Sequence, residues 1–254
     1  MSKVYVLLHG FVCFFLAQFF LEGFEISPVT LELSPIGKKS RGEVELINQS
    51  PDQKAIQISI FDRLIGEDGS EEYDKEADDD FLVYPFQIIL DGAEEEQEIS
   101  QRVQVSYVGD PNVSVERAFR FVAEQVKIEE EDEEKDRNVQ IEFLLKLVGS
   151  LYVTPVGALP DVRVVDAYLD KQDDKDELVL LIENDGTKRS YLDEHDLLLT
   201  TLGSNYDEVS LRITHDHPSS IAQNLVLAKS RRRIRIAWPE ELPVTPVKAE
   251  FVTK

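Results

Sequence analysis

Along most of the chain, apolar residues alternate with polar ones in short runs. The sets are Val29/Leu31/Leu33, Val44/Leu46, Ile56/Ile58/Ile60, Val103/Val105/Tyr107, Phe119/Phe121/Ala123 and Val139/Ile141/Phe143/Leu145. A period of two predicts strands with one buried face, and the stripes of an amphipathic helix are almost absent. Turn residues punctuate the runs at 35–37, 50–51, 91–92 and 109–111. Short strands at this density predict antiparallel sandwiches.

A second series follows the Pro/Gly-rich stretch 155–160: Val162/Val164, Leu178/Leu180/Ile182, Leu197/Leu199, Val209/Leu211/Ile213, Leu225/Leu227, Ile234/Ile236/Trp238 and Val247/Ala249/Phe251. That stretch is the natural hinge between two sandwiches. The halves share an echo, because the strands ending at Asn48 and Asn184 each run into a turn. Residues 4–20 are almost uncharged. They read as an export signal, cleaved near Gly23 or else retained as an anchor, since roughly 17–25 apolar residues can span a membrane. The expectation is therefore an all-β chain with a signal at 1–23, a first immunoglobulin-like sandwich at 24–155 and a second at 156–254.

Charge narrows the functional classes. With 27 Lys+Arg against 50 Asp+Glu, the net charge is −23, and 42% of residues are hydrophobic. Apolar material suffices for cores, while the acidic exterior opposes nucleic acid and anionic lipid. Acidic patches at 67–80, 94–98 and 129–136 read as solvated loops. The basic cluster at 229–235 reads as a strand with Ile234, Ile236 and Trp238 facing the core and Arg233 and Arg235 facing solvent or the acidic first domain. The single cysteine, Cys13, lies in the signal, so the mature chain holds no disulfide or cysteine metal site. His215 and His217 flank Asp216 without a third ligand and read as a turn before Pro218; no metal or other cofactor is expected. His195 sits among carboxylates with no nucleophile motif, and no phosphate loop is present. The expectation is a binding protein and not an enzyme.

An ordered set of segments carries a family resemblance. Ile26-Ser-Pro-Val-Thr-Leu-Glu-Leu-Ser-Pro-Ile-Gly37, followed by Val44-Glu-Leu-Ile-Asn48, is similar to the opening of a periplasmic pilus-assembly chaperone of the PapD-like family. Phe81-Leu-Val-Tyr-Pro-Phe-Gln-Ile-Ile-Leu90, Glu116-Arg-Ala-Phe-Arg-Phe-Val-Ala-Glu-Gln125 and Gly149-Ser-Leu-Tyr-Val-Thr-Pro-Val-Gly157 resemble later first-domain segments. Leu180-Leu-Ile-Glu-Asn-Asp-Gly-Thr187 and Arg231-Arg-Arg-Ile-Arg-Ile-Ala-Trp-Pro239 resemble second-domain strands.

The resemblance implies tandem immunoglobulin-like domains that cap pilus subunits whose sandwich lacks a strand, in the periplasm, for delivery to an outer-membrane usher. Such a protein lends the subunit an edge strand, with main-chain hydrogen bonds for affinity and alternate side chains for selection. Mapped here, the lending strand covers Val139, Ile141, Phe143 and Leu145. The same side chains could instead face this domain's own core. Members of the family hold the subunit's terminal carboxylate with two basic residues; Leu31 and Ser150 stand at or near those positions here, leaving Lys146, Arg102 or Arg120 as substitutes. The contrasting expectation is an extracellular adhesive or structural protein built from the same domains.

Overall fold

The protein is described by a computed structural model covering residues 23–93, 98–127 and 144–252. The signal segment and Val139, Ile141 and Phe143 lie outside the described residues, as do 94–97 and 129–136 of the acidic patches. Eleven strands form the first half: β1 (Phe24–Ser27), β2 (Thr30–Leu33), β3 (Arg41–Asn48), β4 (Lys54–Asp62), β5 (Leu64–Ile65), β6 (Glu71–Glu72), β7 (Phe81–Tyr84), β8 (Gln87–Leu90), β9 (Ile99–Tyr107), β10 (Arg117–Val126) and β11 (Lys146–Val153). Two sheets pack face to face, in the orders β1-β3-β9-β7 and β2-β11-β10-β4-β8, while β5 and β6 form a separate hairpin.

The alternating residues become the inner faces of these sheets. Val44, Leu46, Ile56, Ile58, Ile60, Val103, Val105, Phe119, Phe121 and Ala123 are all buried in one core. Phe81 meets Phe119 edge to face, with ring centroids 4.8 Å apart. Fully burying side chains of this size is worth about 1.5–3 kcal/mol each, so the pattern alone gives the sandwich its driving force. The opening segment changes sheet midway: β1 pairs antiparallel with β3, and β2 pairs parallel with β11. Val29 stands at the crossing and is 60% exposed, so it leaves the inward set while Leu31 and Leu33 stay in it.

The second half contains β12 (Val162–Gln172), β13 (Lys175–Asn184), β14 (Ser190–Tyr191), β15 (Asp196–Leu202), β16 (Glu208–Ile213), β17 (Leu225–Val226), β18 (Ser230–Ala237) and β19 (Lys248–Val252). Its sheets run β12-β13-β18 and β16-β15-β19, with β14 and β17 paired alone. Leu178, Leu180, Ile182, Leu197, Leu199, Ile213, Ile234 and Trp238 build a second core. A bulge between Val164 and Asp166 shifts the phase of β12, so Val162 and Val164 before it and Ala167 and Leu169 after it all reach that core. At β17 the buried residue is Val226, with Leu225 and Leu227 only half-buried, the reverse of the expected parity.

Candidate functional site

The geometry of β11 follows from two hydrogen bonds. Gln125 N donates to Leu145 O at 2.8 Å on the β10 side, and Ser150 N donates to Val29 O at 2.8 Å on the other. Odd-numbered amides therefore face β10, and even-numbered ones face away. From Ser150 to Val153 the outward edge is taken by β2. At Lys146 and Val148 no strand among the described residues lies against it. Among the described residues the β11 edge is thus open over the stretch that continues toward 144, and closed where β2 begins. Gly149 sits at the junction, where an added Cβ would lie 2.9 Å from Val29 O.

Of the expected strand-lending set, only Leu145 is described. It is half-buried and packs against the first core, as does Leu147. Leu144, of opposite parity, is 44% exposed.

The three candidate anchors separate. Arg102 stands on β9, in the opposite sheet, 70% exposed beside Glu43 and Glu45 at 3.8 and 3.9 Å. Lys146 and Arg120 share the outer face of the β10/β11 pair, with Lys146 opposite Glu124 and Arg120 opposite Ser150. Four residues of strand, about 13 Å, separate those rungs. Lys146 Nζ lies 3.9 Å from Glu124 Oε2 and 6.0 Å above the Tyr73 ring.

Arg120 is the least exposed of the three, and its guanidinium reaches Ser150 on the neighbouring strand. Its Nη1 donates to Ser150 Oγ at 2.8 Å, Nη2 donates to Glu71 Oε2 at 2.7 Å, and Nε donates to Glu71 Oε1. Arg63 completes the cluster: Nη2 donates to Glu71 Oε2 at 2.9 Å and Nη1 to Tyr152 Oη at 2.8 Å. Burial works to raise the Glu71 carboxyl, and the Arg120 and Arg63 guanidiniums more than reverse this, holding it below the usual carboxylate range. Arg63 and Glu71 do not stand out in the sequence, and Glu71 falls in an acidic stretch expected to be a solvated loop. The structure instead folds 64–72 into the β5–β6 hairpin, closed by a Gly66-Glu67-Asp68-Gly69 turn. The Asp-Gly pair at that turn was the available signal.

Beside this cluster the domains meet. Arg189, from the second domain, stacks 3.6 Å from the Tyr152 ring centroid and donates through Nη1 to Glu116 Oε2 at 2.5 Å and through Nη2 to Glu32 Oε2 at 2.8 Å. Its backbone N donates to Glu116 Oε1 at 2.9 Å, and Glu116 N donates to Thr187 O at 2.9 Å. Of the two settings expected for it, solvent or the acidic first domain, Arg233 has the second: its N donates to Glu67 O at 2.6 Å and its guanidinium pairs with the Glu67 carboxylate. Arg235 pairs with Asp170 and Glu177 of its own sheet. No group of three or more metal-ligating side chains occurs among the described residues, and no described helix is long and apolar enough to cross a membrane.

Comparison with protein-family models and with curated proteins gives no match. Solved structures do match. The class 5 fimbriae chaperone CfaA aligns with a TM-score of 0.53 at 12% identity, over 91% of this chain and 100% of that one. A chaperone–tip adhesin complex of CFA/I fimbriae biogenesis gives 0.52 at 15% identity, over 83% and 87%. The Salmonella enterica SafA pilin in complex with the SafB chaperone gives 0.50 at 11% identity, over 85% of each chain. At such low identity the shared feature is the fold, and the chain has the two-domain immunoglobulin-like fold of the PapD-like fimbrial chaperones.

Proposed function

We propose that this protein is a periplasmic chaperone of fimbrial assembly, which binds pilus-type subunits with an incomplete sandwich, lends them a strand and delivers them to an outer-membrane usher. It acts by binding and performs no catalysis. In this reading 1–23 is the cleaved signal, the two sandwiches divide at 155/156, and Val139, Ile141, Phe143 and Leu145 fill the vacant subunit pockets. The observation that carries the reading is the open edge of β11, which ends at the start of β2 beside the Arg120 guanidinium. A subunit strand adding to that edge must stop there, with its terminal carboxylate in reach of Arg120. Strand addition also covers an edge on the subunit that would otherwise aggregate.

The double variant I141S/F143S separates partner recognition from core packing. Burying each side chain in a partner is worth roughly 1.5–3 kcal/mol, so losing both weakens capture of a co-expressed pilus subunit by orders of magnitude. The expected result is lost capture with near-normal thermal unfolding. Undiminished capture, or a variant that unfolds, overturns the strand-lending role.

A further inference from the structure

The Arg63–Arg120 site is already filled, by a carboxylate from an element that neither core holds. Among the described residues, neither Leu64 nor Ile65 of β5 joins a core, and Leu64 is 64% exposed. An open pocket of about 340 Å³ borders the hairpin, lined by Arg63, Leu64, Glu72, Arg117 and Ala118 among others. Polar contacts hold the hairpin instead: Glu71 at its root on Arg63 and Arg120, and its tip on β18, where Arg232 Nη1 donates to Gly66 O at 3.1 Å and Arg233 binds Glu67. Gly69, at φ +95°, leaves room for the Arg232 guanidinium, whose nitrogens would lie 2.8 Å from an added Cβ. An element held by charge and little burial belongs to the low-stability end of a fold.

Among the described residues the cluster is also short of negative charge: Arg63 and Arg120 share the one carboxylate of Glu71. Arg63 retains only 8% of its side-chain exposure, and among the described residues its Nε finds no partner; nor does Arg232 Nε. In a chain of net charge −23, a largely enclosed arginine pair with a single carboxylate among the described residues is a site suited to take an anion.

We propose that Glu71 is the resident, displaceable occupant of a carboxylate site: the β5–β6 hairpin fills the Arg63–Arg120 pocket in the free protein, and a partner's terminal carboxylate takes its place, releasing the hairpin. This rests on the chaperone reading, in which a subunit strand ends beside Arg120, and it adds a built-in competitor that a partner's free carboxylate must displace.

The test titrates a short synthetic peptide of alternating valine and threonine, with a free C-terminus or an amide, against the full chain, E71Q and R120A. The free acid should bind the wild type better than the amide, and R120A should abolish that preference. E71Q should bind the free acid about ten-fold more tightly than the wild type and the amide equally, as expected for removing one charge-assisted competitor. Hydrogen exchange over 64–72 should speed up when the free acid binds the wild type. A free-acid preference that depends on Arg120 but is unchanged or weakened in E71Q overturns the displaceable occupant and leaves the chaperone reading standing. Equal or absent binding of acid and amide by both wild type and E71Q removes the carboxylate site and the chaperone's anchor with it.

Discussion

At the scale of single residues, two asparagines do equivalent work in the two domains. Asn48 ends β3 fully buried: its Nδ2 donates to Asp52 O and Asp91 O, and its Oδ1 accepts from Ser50 N and Oγ. Asn184 ends β13 fully buried: its Nδ2 donates to Lys188 O and Val226 O, and its Oδ1 accepts from Asp161 N and Gly186 N. Each ties the turn after its own strand to a distant loop. The echo of Asn before a turn thus has a shared physical cause, a buried amide that satisfies backbone groups around the turn. Replacing either by Ala strands several of these groups away from water, at a cost of about 2–3 kcal/mol. Urea unfolding of N48A and N184A should show that loss in each; a change below about 0.5 kcal/mol would mean that water replaces the amide.

At the scale of elements, β11 has two edges that differ by one residue of phase, and proline reads the difference. Leu147 N faces β10, opposite Ala123, while Val148 N faces the open edge. Proline lacks the donor, so Leu147→Pro breaks the ladder to β10 and should destabilise by about 3 kcal/mol or more. Val148→Pro removes a donor with no backbone partner among the described residues, and proline is tolerated on such an edge. The variant V148P should therefore unfold nearly as the wild type does and yet fail to capture a co-expressed subunit, measured side by side with L147P. Normal capture by V148P would mean that the partner does not pair with this edge.

The same contrast explains what was legible in the sequence. Period-two alternation follows from burial on one face, which is a local property, so β3, β4, β9, β10 and β13 were readable as strands and their inward residues as core. Val29 and Leu225/Leu227 departed where the chain changes sheet or shortens to two residues. The ion-pair clusters were not readable, because their members are far apart in sequence: Arg120 and Glu71 by 49 positions, Arg189 and Glu32 by 157. Charge carries no period, and a glutamate that docks looks like its solvated neighbours.

At the scale of the whole molecule, carboxylates join parts that the cores do not. Glu32 and Glu116 tie Arg189 to the first domain, and Glu71 and Glu67 tie the hairpin to Arg63, Arg120 and Arg233. Burial works to raise Glu32, but Arg189 and Lys188 more than reverse it, so Glu32, like Glu71, titrates below its ordinary 4.5. A carboxylate whose folded value is depressed adds stability that is complete above its unfolded value and disappears as pH falls through the folded one. Acid should therefore loosen the contacts between domains in the window from 4.5 downward. A second effect opposes this, since protonating an excess of carboxylates in a chain of net charge −23 relieves self-repulsion and favours compaction. The repulsion is spread over exposed groups and is screened at about 8–10 Å in ordinary salt, whereas the pairs at Glu32 and Glu71 are in direct contact. The local loss should win at the interface. Small-angle scattering between pH 7 and pH 3.5 should show the molecule extending, and hydrogen exchange at Arg233 N, bonded to Glu67 O, should accelerate before amides of the Phe119–Phe121 core do. Compaction throughout that range, or simultaneous exposure of interface and core, would mean that the ion pairs do not hold the two domains together.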